Sequence, residues 1–273
     1  MTDRYAVVGN PVAHSKSPRI HAVFARLTNQ DLSYEAILAP RDGFADAVRA
    51  FIAAGGRGLN VTVPFKLEAF ALAQRRSPRA EAAQAVNTLA FSGEGIFGDN
   101  TDGAGLVADL TRNLGLSLAG TRILLLGAGG AARGALLPLL EQRPALLHLA
   151  NRTADKARAL GEEFAGRAAG GCLESGGFAG LAGRSFDLVI NATAASLAGE
   201  APPLPAGVFA PDSLAYDMMY GGETPFLAAA RAQGVERRAD GLGMLVEQAA
   251  ESFLLWRGVR PPTAPVLAEL RGA

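Results

Sequence analysis

The stretch Arg122-Ile123-Leu124-Leu125-Leu126-Gly127-Ala128-Gly129-Gly130-Ala131-Ala132 decides the fold. Its aliphatic run makes a strand buried on both faces, as strands of parallel sheets are. Glycines follow at once, and behind them a helical pattern runs over residues 131–141. Glycine there permits a tight turn, lets the main chain approach a pyrophosphate and aims helix N-terminal N–H groups at the anion. Ala132 occupies the third fingerprint position, where alanine is tolerated. The stretch therefore reads as the strand, turn and helix of a dinucleotide-binding unit, with Gly127, Ala128, Gly129, Gly130 and Ala131 on the phosphates.

The next strand, residues 146–150, tells which dinucleotide. NAD calls for a carboxylate about 20 residues on, to grip the ribose 2′-hydroxyl. Here the strand ends in Asn151-Arg152-Thr153, with Lys156 one turn later. Two cations and two hydrogen-bonding side chains welcome a 2′-phosphate, which favours NADP. Thr153 also reads as the cap of a helix over 154–164, which accounts for the threonine but not for the missing acid. Strands at 187–192 and 213–217 and a helix at 225–233 continue the series, and the Gly- and Pro-rich stretches 166–183 and 199–211 read as loops.

Upstream, short apolar runs alternate with amphipathic stretches over residues 5–8, 18–27, 34–38, 44–54 and 58–63, the pattern of a second α/β unit. Strands at 86–91 and 95–98 read as a hairpin around Ser92-Gly93-Glu94. A helical pattern runs from Asp102-Gly103 to Gly115 as a connector. A final helix, 244–256, is too long for a tail and is expected to return to the first unit. The expected architecture is α/β: two open-sheet domains around a cleft, the second of Rossmann type. Residues 1–102 with 241–273 form a discontinuous substrate-binding domain, and 103–240 the NADP-binding one.

Composition excludes several classes. The chain has 273 residues, 26 basic against 26 acidic, so it lacks the positive charge that wraps nucleic acid. One cysteine, Cys172, and three scattered histidines offer neither an internal disulfide nor metal-ligand spacing. No apolar run reaches the roughly 18 residues of a membrane span, and no export signal is read, so a cytoplasmic enzyme of small molecules is expected. The basic residues comprise 23 Arg and three Lys, namely Lys16, Lys66 and Lys156. Lysine can give up a proton where arginine holds a fixed charge, so these mark positions where arginine does not serve.

In Leu59-Asn60-Val61-Thr62-Val63-Pro64-Phe65-Lys66 the strand period puts Leu59, Val61 and Val63 on one face, Asn60 and Thr62 on the other. Polar residues near the C-terminal end of such a strand mark a ligand crevice or, alternatively, an exposed edge. His14-Ser15-Lys16-Ser17-Pro18 precedes a helix; Ser17 and Pro18 read as N-cap and first helical residue. Two hydroxyls at a helix N-terminus also make a carboxylate site, so both readings stand. His14 reads as a packing or capping residue. Asp102, in Asp99-Asn100-Thr101-Asp102-Gly103, is either a helix cap or the acid that holds the ammonium of Lys66.

Together these motifs resemble the shikimate dehydrogenase family. The matching stretches are residues 9–18, 60–66, Ala85-Val86-Asn87-Thr88, 99–103, 127–134, 151–153, Asn191-Ala192-Thr193, Tyr216-Asp217-Met218-Met219-Tyr220 with Thr224-Pro225-Phe226, and 240–248. The resemblance implies NADP-dependent, reversible reduction of 3-dehydroshikimate to shikimate in aromatic amino-acid biosynthesis. It implies that Ser15, Ser17 and Tyr220 bind the substrate carboxylate, and Asn60, Thr62, Asn87, Asp102 and Gln248 its hydroxyls. Lys66 and Asp102 would be the catalytic pair, Asn151, Arg152, Thr153 and Lys156 the 2′-phosphate site. Thr193 would belong to the cofactor site, and Met218 and Gly241 would flank the nicotinamide. Lys156 departs from the arginine common at its position, and Ser196 from a frequent glycine. A broader quinate/shikimate dehydrogenase using NAD or NADP, and a non-catalytic NADP sensor of this fold, are the competing readings; the chain is expected as a monomer or homodimer.

Overall fold

The computed structural model describes residues 2–168, 172–195 and 199–272. Two compact units emerge, Met1–Gly105 with Leu245–Ala273, and Leu106–Met244.

The first unit contains β1 (Asp3–Gly9), α1 (Ser17–Thr28), β2 (Leu32–Leu38), α2 (Phe44–Ala53), β3 (Gly56–Val61) and α3 (Lys66–Leu72). There follow β4 (Arg75–Arg76), α4 (Pro78–Ala83), β5 (Thr88–Ser92), β6 (Gly95–Asp99) and the start of α5 (Asp102–Ala108). The sheet order is β2-β1-β3-β5-β6-β4. Strands β1, β2 and β3 run parallel, whereas β5 joins β3 antiparallel and forms with β6 the hairpin expected around Gly93. The sheet is thus mixed. Phe44, Val48, Phe51, Phe65, Leu59 and Leu89 fill one core of this unit, and Phe24, His21 and Phe253 meet edge to face or stacked elsewhere in it.

The second unit follows the end of α5 with a π-helical turn, Asp109–Asn113, so the connector helix does not run unbroken to Gly115. It continues through β7 (Arg122–Leu126), α6 (Gly130–Leu140), β8 (Leu146–Asn151), α7 (Ala154–Phe164), β9 (Leu173–Gly177) and β10 (Phe186–Asn191). It closes with β11 (Phe209–Asp217), α8 (Pro225–Ala232), β12 (Arg237–Asp240) and the first residues of α9 (Leu242–Arg257); α10 (Ala264–Arg271) belongs to the first unit. All pairings in the second sheet are parallel, in the order β9-β8-β7-β10-β11-β12. Numbered within the unit this is 3-2-1-4-5-6, the dinucleotide-binding order whose crevice lies where the order reverses, at the C-terminal ends of β7 and β10. Ile123 to Leu126 are 0% exposed, as their sequence requires of the central strand.

Five further sequence expectations are corrected. Strand β9 lies inside the 166–183 stretch read as loop, and β11 begins within 199–211. Val63 is 67% exposed, because β3 ends at Val61 and the alternation ends with it. Lys16, not Ser17, is the N-cap of α1, with no side-chain cap bond, and Ser17 is the first helical residue. His14 is exposed rather than packed. Ser196 lies outside the described residues.

Candidate active site

The first sheet also reverses its order, at β1 between β2 and β3, and the loops leaving β1 and β3 carry the candidate substrate residues. Gly9 lets these loops approach: a Cβ on it would lie 2.4 Å from Thr62 Cγ2. Beyond β3 the chain turns into α3, and its first residue, Lys66, extends Nζ to 2.6 Å from Asp102 Oδ2. Both side chains are partly exposed, at 31% and 21%, so the pair is open to a ligand. Asn87 Nδ2 donates to Asp102 Oδ1 at 2.8 Å, to Thr101 Oγ1 at 2.9 Å and more distantly to Gln248 Oε1 at 3.3 Å. Thr101 N–H donates to Asn87 Oδ1 at 2.9 Å, which fixes the amide orientation. Asp102 is therefore held at both oxygens.

Gln248 reaches this group because Gly105 has no side chain; a Cβ there would meet Gln248 N and Cβ at 2.6 Å. Asn60 is likewise held by internal bonds. It is 6% exposed, accepts the Tyr34 hydroxyl at 2.7 Å and donates to Ser252 Oγ at 2.9 Å and Thr88 Oγ1 at 3.2 Å. Burial raises the Tyr34 hydroxyl well above its ordinary pKa despite the Ser17 side chain beside it, so it stays a donor. Stacked on Tyr34 at 4.2 Å, His21 is lowered to about 3 by burial and is neutral. Tyr34, Thr88, Thr101 and Ser252 were missed by the sequence reading. Ser252 stands one helical turn after Gln248 on α9, the one signal that pointed to it.

Ser15 Oγ accepts the Ser17 N–H at 3.2 Å, closing a turn ahead of α1, while Ser17 is buried. Ser15 thus carries a structural role that the sequence reading did not give it, while Ser17 keeps one through Tyr34 rather than as a cap. Ser15→Ala should lose about 0.5–1.5 kcal/mol of stability with the turn bond, and Ser17→Ala, which removes a buried hydroxyl hydrogen-bonded to Tyr34, at least as much. Thermal unfolding of the two variants checks the order.

In the second unit, Gly127 has φ +109, and a Cβ on it would lie 3.0 Å from Ala192 O. The turn after β7 is thereby pressed against the loop after β10, where Asn191 Oδ1 accepts both the N–H and the hydroxyl of Thr193 at 3.1 and 2.7 Å. Gly129 and Gly130 differ: neither has a left-handed φ, and a Cβ on either would meet nothing within 4 Å. Nothing within the described chain requires glycine at these two positions, whereas a pyrophosphate lying on the main chain does. Gly129 is the N-cap of α6 with no side-chain cap and no acid in the first turn, which leaves N–H groups for an anion. The donor set thus fits a dinucleotide. Gly127→Ala should destabilise the unit, by about 1–3 kcal/mol for a strained backbone, whereas Gly129→Ala should leave the unfolding temperature unchanged and weaken nucleotide binding in a titration.

Arg152 and Lys156 are exposed and join no ion pair among the described residues. Thr153 is the N-cap of α7, but its side chain makes no cap bond, and its carbonyl accepts Asn151 Nδ2 at 3.0 Å. Met218 follows β11, where fully buried Asp217 accepts the Met219 N–H at 3.0 Å and the Thr224 hydroxyl at 2.5 Å. Gly241 packs on it: a Cβ would lie 2.2 Å from Met218 O, and its N–H donates to Met219 O at 2.9 Å. Tyr220, half-buried in the same unit, has its hydroxyl pKa raised by burial and remains protonated.

A parallel sheet of dinucleotide-binding order in one unit and a lysine–carboxylate pair among amides and hydroxyls in the other define a dinucleotide-dependent oxidoreductase. Family models match along the chain: "Shikimate dehydrogenase substrate binding domain" at residues 7–89, "Shikimate / quinate 5-dehydrogenase" at 109–198 and "Shikimate 5'-dehydrogenase C-terminal domain" at 241–271. The chain belongs to the shikimate dehydrogenase family. It is 70% identical over 270 residues to shikimate dehydrogenase (NADP(+)) of Aromatoleum aromaticum, covering 98% of this chain and 97% of that one. Among solved structures it resembles an Ael1 enzyme from Pseudomonas putida, with 52% identity, TM-score 0.94 and 98% of each chain covered. It also resembles shikimate 5-dehydrogenase from Thermus thermophilus in complex with NADP(H) and shikimate, with 34% identity, TM-score 0.86 and 99% of each chain covered. No helix among the described residues is long and apolar enough to cross a membrane.

Proposed function

We propose that the chain catalyses the reversible, NADP-dependent reduction of 3-dehydroshikimate to shikimate, with Lys66 and Asp102 as the catalytic pair. The observation that carries the reading is the 2.6 Å contact of Lys66 Nζ with Asp102 Oδ2 beside the amides of Asn87 and Gln248. NADPH, when bound, supplies the hydride to the ketone carbon. The chain must then protonate the oxygen, and Lys66 has ammonium protons to spare beyond the one given to Asp102. Asp102 holds the ammonium in place and accepts a neighbouring substrate hydroxyl on its remaining lone pairs, while Asn87, Gln248, Asn60 and Thr62 select the polyol. Ser15, Ser17 and Tyr220 take the carboxylate. On the nucleotide side, Gly127 to Ala131 hold the pyrophosphate, Asn151, Arg152, Thr153 and Lys156 the 2′-phosphate, and Thr193, Met218 and Gly241 complete the site.

Absorbance at 340 nm tests the reading, with shikimate or quinate offered to the chain in combination with NADP or NAD. Shikimate with NADP should give the highest kcat/KM. Higher kcat/KM with quinate or with NAD would establish the broader dehydrogenase instead, and no turnover with any pair the non-catalytic reading.

A further inference from the structure

The π-helical turn after α5 places a carboxylate deep in the second unit that the reaction does not use. Asp109 is 3% exposed and accepts the hydroxyl of Tyr216, itself fully buried, at 2.7 Å. Asn113 Nδ2 donates to the other oxygen at 2.9 Å. The same carboxylate lies against the first turn of α9, so closely that a Cβ on Gly243 would fall 1.9 Å from Asp109 Oδ1. The Tyr216 hydroxyl in turn meets the Met244 main chain. A helix N-terminus carries partial positive charge, so a buried carboxylate at this point holds the start of α9 in place. π-helical turns often stand at functional positions.

What this fixes is the proposed nicotinamide subsite. Tyr216 lies on β11 two residues before Met218, and Gly243 on α9 two residues after Gly241, whose main chain packs on Met218. Strand and helix are therefore tied together at two levels: the Met218–Gly241 contact and, behind it, the Tyr216 hydroxyl, which meets the Met244 main chain and donates to the Asp109 carboxylate lying against Gly243. We propose that Asp109 and Tyr216 are positioning residues for the nicotinamide: their hydrogen bond sets the separation of Met218 and Gly241. The inference rests on the NADP-dependent reading above.

Calorimetric titration of Tyr216→Phe and Asp109→Asn with NADP and with adenosine 2′,5′-bisphosphate, which carries the 2′-phosphate but no nicotinamide, tests it. In Tyr216→Phe the NADP dissociation constant should rise and kcat with shikimate fall, each by about tenfold, the size of one hydrogen bond to a charged group. Binding of the bisphosphate should stay within about twofold of the native chain. Asp109→Asn keeps an oxygen that can accept the Tyr216 hydroxyl and should lose less than Tyr216→Phe. Equal weakening of both ligands in the two variants would reduce the pair to general support of the unit, and unchanged NADP binding and kcat would overturn the proposal. Should Tyr216→Phe fail to fold, Asp109→Asn with the same two ligands decides between these outcomes. Turnover by the native chain, measured alongside, separates a failure of this inference from a failure of the functional reading.

Discussion

Replacing Lys66 by Ala should lower kcat for shikimate oxidation by about 10²–10⁴-fold, the usual contribution of a positioned acid–base group, while leaving NADP binding nearly unchanged. The expectation follows from position. Lys66 opens α3 directly beyond the loop after β3, in the crevice of the first sheet, and its Nζ is held 2.6 Å from Asp102. Removing it removes the group that takes up the substrate hydroxyl proton in this direction and returns it in the reverse one, and leaves Asp102 as a negative charge without its ammonium, which opposes an alkoxide forming beside it. The nucleotide-binding turn lies in the other unit. Initial rates and a separate NADP titration distinguish the two effects. A variant that lost NADP affinity in proportion to kcat would show that Lys66 supports the fold or the cofactor rather than the proton transfer.

Replacing Arg152 by Ala should raise KM for NADP by a factor worth about 1.5–3 kcal/mol of binding, that of a hydrogen bond between charged groups, and barely alter KM for NAD. Arg152 sits at the end of β8, exposed and without an ion pair among the described residues, so no folded-state interaction is expected to mask the effect. Lys156, in the first turn of α7, supplies a second charge and keeps some preference for NADP in the variant. Equal losses for both cofactors, measured in parallel at fixed ionic strength, would assign Arg152 to the unit's stability.

The centre of the second sheet was legible because β7, β8 and β10 are short apolar runs, and each found its place within a residue; β11 begins four residues before the strand read at 213–217. The edges of the sheet were not legible. In β9, Leu173-Glu174-Ser175-Gly176-Gly177 has neither alternation nor β-branched residues, and β12, Arg237-Arg238-Ala239-Asp240, is charged. Both are strands by virtue of pairing with β8 and β11, an interaction that no local pattern encodes. Helix starts were blurred in the same way: Ser17-Pro18 carries the cap pattern, yet α1 begins one residue earlier than that pattern requires.

At the candidate site, chemistry-bearing residues were visible as motifs, but the side chains that hold them were not. Tyr34 and Thr88 look like ordinary strand residues until the fold brings them onto Asn60. The glycines divide in the same manner. The sequence showed a glycine-rich turn, and the structure shows that Gly127 is required by its own backbone whereas Gly129 and Gly130 leave room that nothing in the described chain fills.

The most direct test of the account is the turnover of Lys66→Arg with shikimate and NADP near neutral pH. Arginine preserves the positive charge beside Asp102 but parts with its proton far too reluctantly to exchange it with the substrate oxygen. If Lys66 is the acid–base group, Lys66→Arg should be impaired by the same order as Lys66→Ala, with NADP binding intact. Recovery of most of the native kcat would contradict the account, leaving Lys66 as an electrostatic anchor and the proton to Asp102 or a water.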